Sequence, residues 1–302
     1  MIEVAIQTAA KINLGLRVLG RRSDGYHEVE TVLHTIGLWD RIRLQPTTDG
    51  LIEAHSEDQG VPRGEDNLCW QSAALLADHT NTKAGAIIHI EKGIPIRSGL
   101  GGGSSDAAAT LAGLTRLWDI SIAPDDLETI AAEIGADVPF FLRGGCCLAR
   151  GKGERLASHP EFEAWLIVVV PELRISTAQA YASLQRGVTR GRRRAPSRPI
   201  QRLLKALETR SPREIAKAIR NDFESAKIAG VAEALSTKEE LLAEGCLGAL
   251  MSGSGSAVFG IAPNRTKAEQ VAASLKRTRS WVKAVPTVGA EKSMDITLVE
   301  TD

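Results

Sequence analysis

No apolar run in this 302-residue chain approaches the ~20 residues that a membrane-crossing helix needs. The longest, Trp165 to Val170, has the length of a buried strand. The opening residues, Met1-Ile2-Glu3-Val4, carry neither a basic start nor an apolar signal core, so export is not expected. No charge of either sign is in excess: Lys+Arg and Asp+Glu total 37 each. That balance gives no reason to expect nucleic acid or an acidic membrane as the main partner. Cysteine is sparse, with Cys69, Cys146, Cys147 and Cys246 alone. An ordinary bridge between the adjacent pair would be strained, and no pair has zinc-finger spacing. Reduced core thiols in a cytoplasmic protein are the expectation. The six histidines form no H-E-x-x-H pair, which argues against a protein-held zinc. There is no internal repeat.

What is present suits a folded protein of two domains or one large one, with 43% hydrophobic and 25% charged residues. Residues 2–18 read as a strand. Ile12, Leu14, Leu16 and Val18 alternate along it, which puts Lys11, Asn13 and Arg17 on the opposite face. Arg21 to Gly25 is a turn signal, and Val29–Leu38, Asp40–Leu44 and Ala86–Ile90 are further strands. Helices are expected over Asn67–Ala77, Ser104–Trp118, Leu127–Ile134, Thr177–Leu184, Ile200–Glu208, Pro212–Glu224 and Val231–Glu244. Leu247–Met251 and Ala257–Ile261 predict two strands around the tight loop Ser252 to Ser256. Strands crowd the first half and helices the second, so the pattern predicts an α+β protein dividing near residues 155–165. Seven arginines lie between Arg186 and Arg202. Their plain reading is a solvated loop; the sharper one is a basic patch for an acidic partner or a phosphorylated ligand.

The most informative stretch is Pro95-Ile96-Arg97-Ser98-Gly99-Leu100-Gly101-Gly102-Gly103-Ser104-Ser105, between a predicted strand and a predicted helix. Glycines let backbone N–H groups turn together toward a ligand, and a helix start adds free N–H groups and a positive dipole end. Such a place suits a polyphosphate. No lysine follows the glycines as a Walker loop requires, and Gly99 to Ser104 breaks the G-x-G-x-x-G pattern. A flexible turn followed by a Ser/Asp helix cap is the plainer alternative for this segment taken alone.

That segment resembles the ATP loop of the GHMP kinase superfamily. Other blocks narrow the resemblance: Ala10-Lys11-Ile12-Asn13-Leu14, Arg22 to His27, Asp66-Asn67-Leu68, Gly135 to Phe141 and Ser252 to Ser256, in that order. Together they are similar to the branch that phosphorylates the 2-hydroxyl of a cytidine-diphosphate-linked methylerythritol on the non-mevalonate route to isoprenoid precursors. The matching blocks run from about residue 9 to about residue 261.

The resemblance implies a two-domain GHMP kinase fold: a ribosomal protein S5 domain 2-like unit over 1–163, a ferredoxin-like unit over 164–302, and ligands in the cleft between them. It implies ATP and Mg2+ as cofactors. Asp137 corresponds to the catalytic aspartate and Lys11 to the active-site lysine; taken locally, they read as a helix cap and a solvated strand lysine. Tyr26, His27 and Tyr181 are implied to read the cytidine base, with Asn13, Gly253 and Gly255 also on the substrate side. Asn67 and Lys92 fall near the adenine pocket, and Ser105 is the candidate hydroxyl for magnesium. A kinase of another small alcohol, and an ATP-binding sensor without catalysis, remain open as alternatives. Oligomeric state is not legible.

Overall fold

The computed structural model describes residues 2–184, 187 and 195–300; most of the arginine-rich stretch 186–194 lies outside the described residues. The chain opens with two long strands, β1 (Ile2–Arg21) and β2 (His27–Thr47), followed by β3 (Ile52–His55), α1 (Leu68–Thr80), β4 (Gly85–Glu91) and α2 (Gly102–Leu117). Then come α3 (Pro124–Ile134), α4 (Val138–Arg143), β5 (Cys146–Gly151) and β6 (Arg155–Ser158). The second half holds β7 (Trp165–Val169), α5 (Thr177–Ser183), α6 (Arg198–Glu208), α7 (Pro212–Ala218), β8 (Arg220–Asn221) and α8 (Ala229–Ala243). It closes with β9 (Gly248–Met251), β10 (Val258–Ile261), α9 (Arg265–Leu275), β11 (Val282–Pro286) and β12 (Met294–Glu300).

Two sheets result, and the α+β expectation is met. The first has the order β12-β1-β2-β4-β3, with β5 paired to β2, β6 to β5, and β8 to β1. The second is antiparallel, with the order β11-β7-β10-β9. Two crossovers, through α8 and α9, produce this order, which is that of a ferredoxin-like unit. The chain leaves the first sheet after Ser158 and starts the second at Trp165, while β8 and β12 return to the first sheet. The second half is therefore not mainly helical: it holds strands of both sheets.

Apolar periodicity sorts side chains into three cores. Ile6, Leu44, Leu76, Leu111 and Leu114 join α1 and α2 to the first sheet. Ile12, Leu14, Val168, Phe259 and Leu203 lie between the two sheets and α6. Leu16, Val18, Val169, Phe223 and Val258 join the second sheet to α8 and α9. The apolar row of β1 therefore serves two cores, because its register against β2 shifts between Asn13 and Gly15. Such a shift reverses which face successive residues occupy. Lys11 and Asn13 do share a face, but Arg17 does not join them; it pairs with Asp222 beside α7.

The helix expected over 212–224 stops at Ala218. Asn221 leaves helical geometry and donates from its amide to Met251 O at 2.8 Å and Gly253 O at 2.7 Å. The Asp222 carboxylate accepts from Val18 N–H and Arg17 Nε. Tertiary partners override the local helical preference there. All four cysteines are free and buried, and burial raises each thiol pKa, which keeps them protonated.

Candidate active site

The glycine-serine loop joins β4 to α2. Gly99 and Gly101 sit at φ +85° and +78°, a backbone region that L side chains avoid. A Cβ on Gly99 would lie 2.4 Å from Ser252 O; one on Gly101 would lie 2.7 Å from the Phe141 ring and 2.9 Å from Lys11 Cγ. The loop carbonyls face the protein: Ser98 O accepts from Ala257 N–H, Gly99 O from Ser252 Oγ, Leu100 O from Lys11 N–H and Ile96 O from Arg174. With the carbonyls turned inward, N–H groups at the start of α2 border the cavity on the other side. Gly101 caps that helix with no side-chain bond, so its first turn keeps free donors.

That cavity has a volume of about 280 Å³, lined by Pro95 to Gly99, Gly101 to Ser104, Asn67, Lys92, Asp106 and an apolar wall including Val61, Leu68 and Ile90. An apolar wall beside an amide cradle fits a nucleotide. Lys92 is not a free cation there. Its ammonium bonds Asp40 and, at 2.6 Å, Asp106. Burial opposes its charge, but the carboxylates of Asp106 and Asp40 outweigh it and raise the lysine pKa. Burial also lifts Asp106 well above the usual carboxylate range, and its Oδ1 is buried without a hydrogen-bond partner among the described residues. Asn67 caps α1: its Oδ1 accepts from Cys69 N–H and its Nδ2 donates to Pro62 O.

Ser105 requires a correction. Its hydroxyl donates to Ala9 O and bonds Thr8 Oγ1, both at 2.7 Å, and the residue is fully buried. Its place one residue beyond Ser104 on α2 turns it toward β1, so it is not positioned to ligate magnesium. Ser104 is the hydroxyl residue at the start of α2 that lines the cavity. Among the described residues, no group of His, Cys, Asp and Glu could hold a metal ion by itself.

Lys11 is buried, against the solvated reading of its strand position. Its Nζ donates to Asn13 Oδ1 at 2.7 Å and lies 3.5 Å from Asp137 Oδ2. Asn13 is held by Thr31 and Ser252. Asp137 occupies the N-cap position of α4 but makes no capping bond with its side chain; the carboxylate, 37% exposed, points to Lys11 instead. Gly253 closes the other side: a Cβ there would lie 3.3 Å from Asn13 Oδ1 and 3.6 Å from Lys11 Nζ. Gly255 packs behind it, its carbonyl against Gly99. The ammonium thus sits between the two glycine loops.

A second cavity, about 740 Å³, is lined by Tyr26, His27, Tyr181, Arg21, Lys152 and Thr177 among others. Tyr26 is exposed, with Lys152 Nζ 5.3 Å from its ring centre. His27 stacks on Tyr181, with ring centres 4.6 Å apart, and Phe223 meets Tyr181 edge-on. Burial first, and then the Asp137 carboxylate, push the Tyr181 hydroxyl pKa up to about 12. The Asp137 carboxylate is thus felt at the Tyr181 hydroxyl on the wall of this cavity.

Three participants were not assigned from the sequence: Asp40 and Asp106, which hold Lys92, and Asn221, which anchors the Gly253 loop. Their spacings along the chain carry no signal. Only the fold brings residues 40, 92 and 106 together.

Residues 67–145 match the family model of the GHMP kinases N terminal domain, and residues 203–279 that of the GHMP kinases C terminal. Over 279 residues the chain is 41% identical to the 4-diphosphocytidyl-2-C-methyl-D-erythritol kinase of Pelotomaculum thermopropionicum, covering 92% of this chain and 96% of that one. The protein of the same name from Bacillus subtilis is 37% identical over 289 residues, covering 95% and 97%. A solved 4-(cytidine 5'-diphospho)-2C-methyl-D-erythritol kinase superposes with a TM-score of 0.77 at 34% identity, across 94% of this chain and 99% of that one. A homoserine kinase from Cytophaga hutchinsonii superposes with a TM-score of 0.75 at 17% identity, across 98% and 97%, and shares the fold.

Proposed function

The chain belongs to the 4-diphosphocytidyl-2-C-methyl-D-erythritol kinases of the GHMP superfamily, and from that premise we propose how its residues divide the work. The reaction is transfer of the ATP γ-phosphate to the 2-hydroxyl of the cytidine-diphosphate-linked methylerythritol, in the non-mevalonate pathway. The observation that carries the site assignment is the Lys11–Asp137 pair at 3.5 Å, between the amide cradle and the aromatic cavity.

ATP lies with its base against the apolar wall near Asn67 and Lys92 and its phosphates on Ser98 to Ser104. The cytidine end of the acceptor lies among Tyr26, His27 and Tyr181, since aromatic faces stack on nucleobases. Asn13, Gly253 and Gly255 close the acceptor side. The acceptor oxygen attacks the γ-phosphorus in line, ADP leaves, and the hydroxyl proton passes to Asp137. Asp137 orients the hydroxyl first and takes the proton late, as the in-line displacement proceeds. Lys11 offsets charge on the transferring phosphoryl group. Magnesium would supply charge neutralisation of the triphosphate when bound, with Ser104, which lines the cavity, as the hydroxyl to hold it in place of Ser105. A division of the chain near residue 163, with β8 and β12 returning to the first sheet, and a cytoplasmic site of action complete this reading.

The test is ADP release with the cytidine-diphosphate substrate, wild type against Asp137→Asn. The variant should fold, keep its ATP KM within about threefold, and lose about 10²- to 10⁴-fold in kcat. Near-normal turnover ends the assignment of Asp137.

A further inference from the structure

The arginine-rich stretch is not absorbed by the kinase reading, and Arg202 at its end leads to a separate cleft. This cleft, of about 590 Å³, lies between α6 and α7; five cations line it, Arg17, Arg202, Lys205, Lys217 and Arg220, against one carboxylate, Glu214. Glu214 is taken by Lys217 at 2.6 Å, and Arg17 is taken by Asp222 at 3.0 Å. Arg202, Lys205 and Arg220 have no ion-pair partner among the described residues. Arg202 and Lys205 are three apart on α6 and share a face. Cations near helix C-termini are favoured by the backbone dipole, which accounts for Lys205 and Lys217 in the last turns of their helices. It accounts for neither Arg202 nor Arg220. Three uncompensated cations in one concavity repel each other and raise its positive potential. Pro199, Ala206 and Ile219 add an apolar floor, and the volume is that of a small-molecule site.

We propose that this cleft is a second anion site, which takes a small diphosphate-bearing metabolite and whose occupancy is felt at the acceptor site. The coupling half of the proposal rests on the acceptor-site reading above. Three physical links run between the sites. Arg220 is followed by Asn221, whose amide holds Met251 O and Gly253 O. Leu203 and Ile200 of α6 pack on Gly15 of β1, where a Cβ would lie 2.6 Å from Leu203 Cδ2. Arg17 lies on β1 together with Lys11 and Asn13. An anion that draws Arg220 and α6 together loads the strand and the loop that flank the Lys11 ammonium.

The experiment titrates the full chain with inorganic pyrophosphate by calorimetry, at about 0.15 M salt and without divalent metal. The ATP loop is held saturated with a non-hydrolysable ATP analogue. Wild type should bind with a Kd below about 1 mM, and Arg202→Ala/Lys205→Ala should bind about tenfold or more weakly. Both substituted residues are exposed, and the kcat of the double variant without pyrophosphate should equal that of wild type. Pyrophosphate should then shift the acceptor KM at least about twofold in wild type and not in the double variant. Equal binding by the two proteins places the anion elsewhere and overturns the site, as does no binding by wild type. Binding that is lost in the variant with no KM shift in wild type overturns the coupling. Neither result touches the kinase assignment, which the Asp137 variant tests separately.

Discussion

Replacing Lys11 with Met separates charge stabilisation from binding. Met keeps most of the stem that fills the space under Gly101 and removes only the ammonium. Three effects on stability compete. The charge-assisted bond to Asn13 at 2.7 Å is lost, worth about 1.5–3 kcal/mol. Asn13 Oδ1 keeps Ser252 Oγ at 3.3 Å, but shares that one hydroxyl hydrogen with Gly99 O at 3.0 Å, so the loss is only partly offset. Removing a buried ammonium also relieves a desolvation penalty of several kcal/mol. The Asp137 carboxylate left behind is 37% exposed, so water replaces its lost partner; the 3–5 kcal/mol cost of breaking a fully buried pair does not apply. The variant should therefore unfold within about 2 kcal/mol of wild type. Turnover is different, since Lys92, the other lysine at the ATP cavity among the described residues, is committed to Asp40 and Asp106 and cannot take over the Lys11 charge. Losing one preorganised charge at the reacting centre costs about 2.7–4 kcal/mol, or 10²- to 10³-fold in kcat. Coupled ADP-release kinetics at saturating acceptor, with urea unfolding in parallel, give both numbers. If the ATP KM rises about tenfold with kcat unchanged, Lys11 is a binding residue and the argument fails.

The strand face of Lys11 and Asn13, the phosphate loop, and the cap position of Asp137 are all legible from short-range patterns, because period-two alternation, glycine runs and helix starts are local signals. Four things were not. The register shift after Asn13 redirects Arg17, and nothing in the residues of β1 marks it; it is set by pairing with β2. The segment 219–225 has helical composition, yet Asn221 and Asp222 find better partners on the Gly253 loop and β1. Ser105 and Ser104 are equivalent as letters, but a helix turns about 100° per residue, and that rotation decides which hydroxyl meets Ala9 and which meets the cavity. β12 shows the same limit. Its residues from Met294 carry no motif, yet they pair antiparallel with β1 from Ile2 to Thr8, at the edge of the first sheet.

Tyr181→Ala should raise the KM for the cytidine substrate about 5- to 150-fold, the range for one lost base stack of about 1–3 kcal/mol, with the ATP KM nearly unchanged; an unchanged acceptor KM removes Tyr181 from the site. His34 is fully buried, with its Nδ1 2.9 Å from Thr35 O and its Nε2 without a partner among the described residues, and burial lowers its pKa. Below about pH 6.5 the unfolded chain gains a proton that folded His34 refuses, so its contribution is present above that pH and is lost as pH falls, by up to about 1.4 kcal/mol per unit. Urea titrations from pH 7.5 to about pH 5 should show His34→Gln flattening that slope, and an identical slope refutes the assignment. The loop geometry predicts opposite outcomes for two neighbouring glycines. Gly101→Ala must hold a side chain at φ +78°, costing about 1–2 kcal/mol, with a Cβ 2.7 Å from the Phe141 ring, costing about 1–3 kcal/mol more. Gly103 lies inside α2 with helical backbone, and its Cβ would meet only Leu68 Cδ1, at an ordinary 3.6 Å. Alanine there should stabilise by up to about 1 kcal/mol through helix propensity. Thermal unfolding of the two variants should therefore split to either side of wild type. Equal shifts would mean that the loop is free to move, and an amide cradle that moves freely is not preorganised for phosphate.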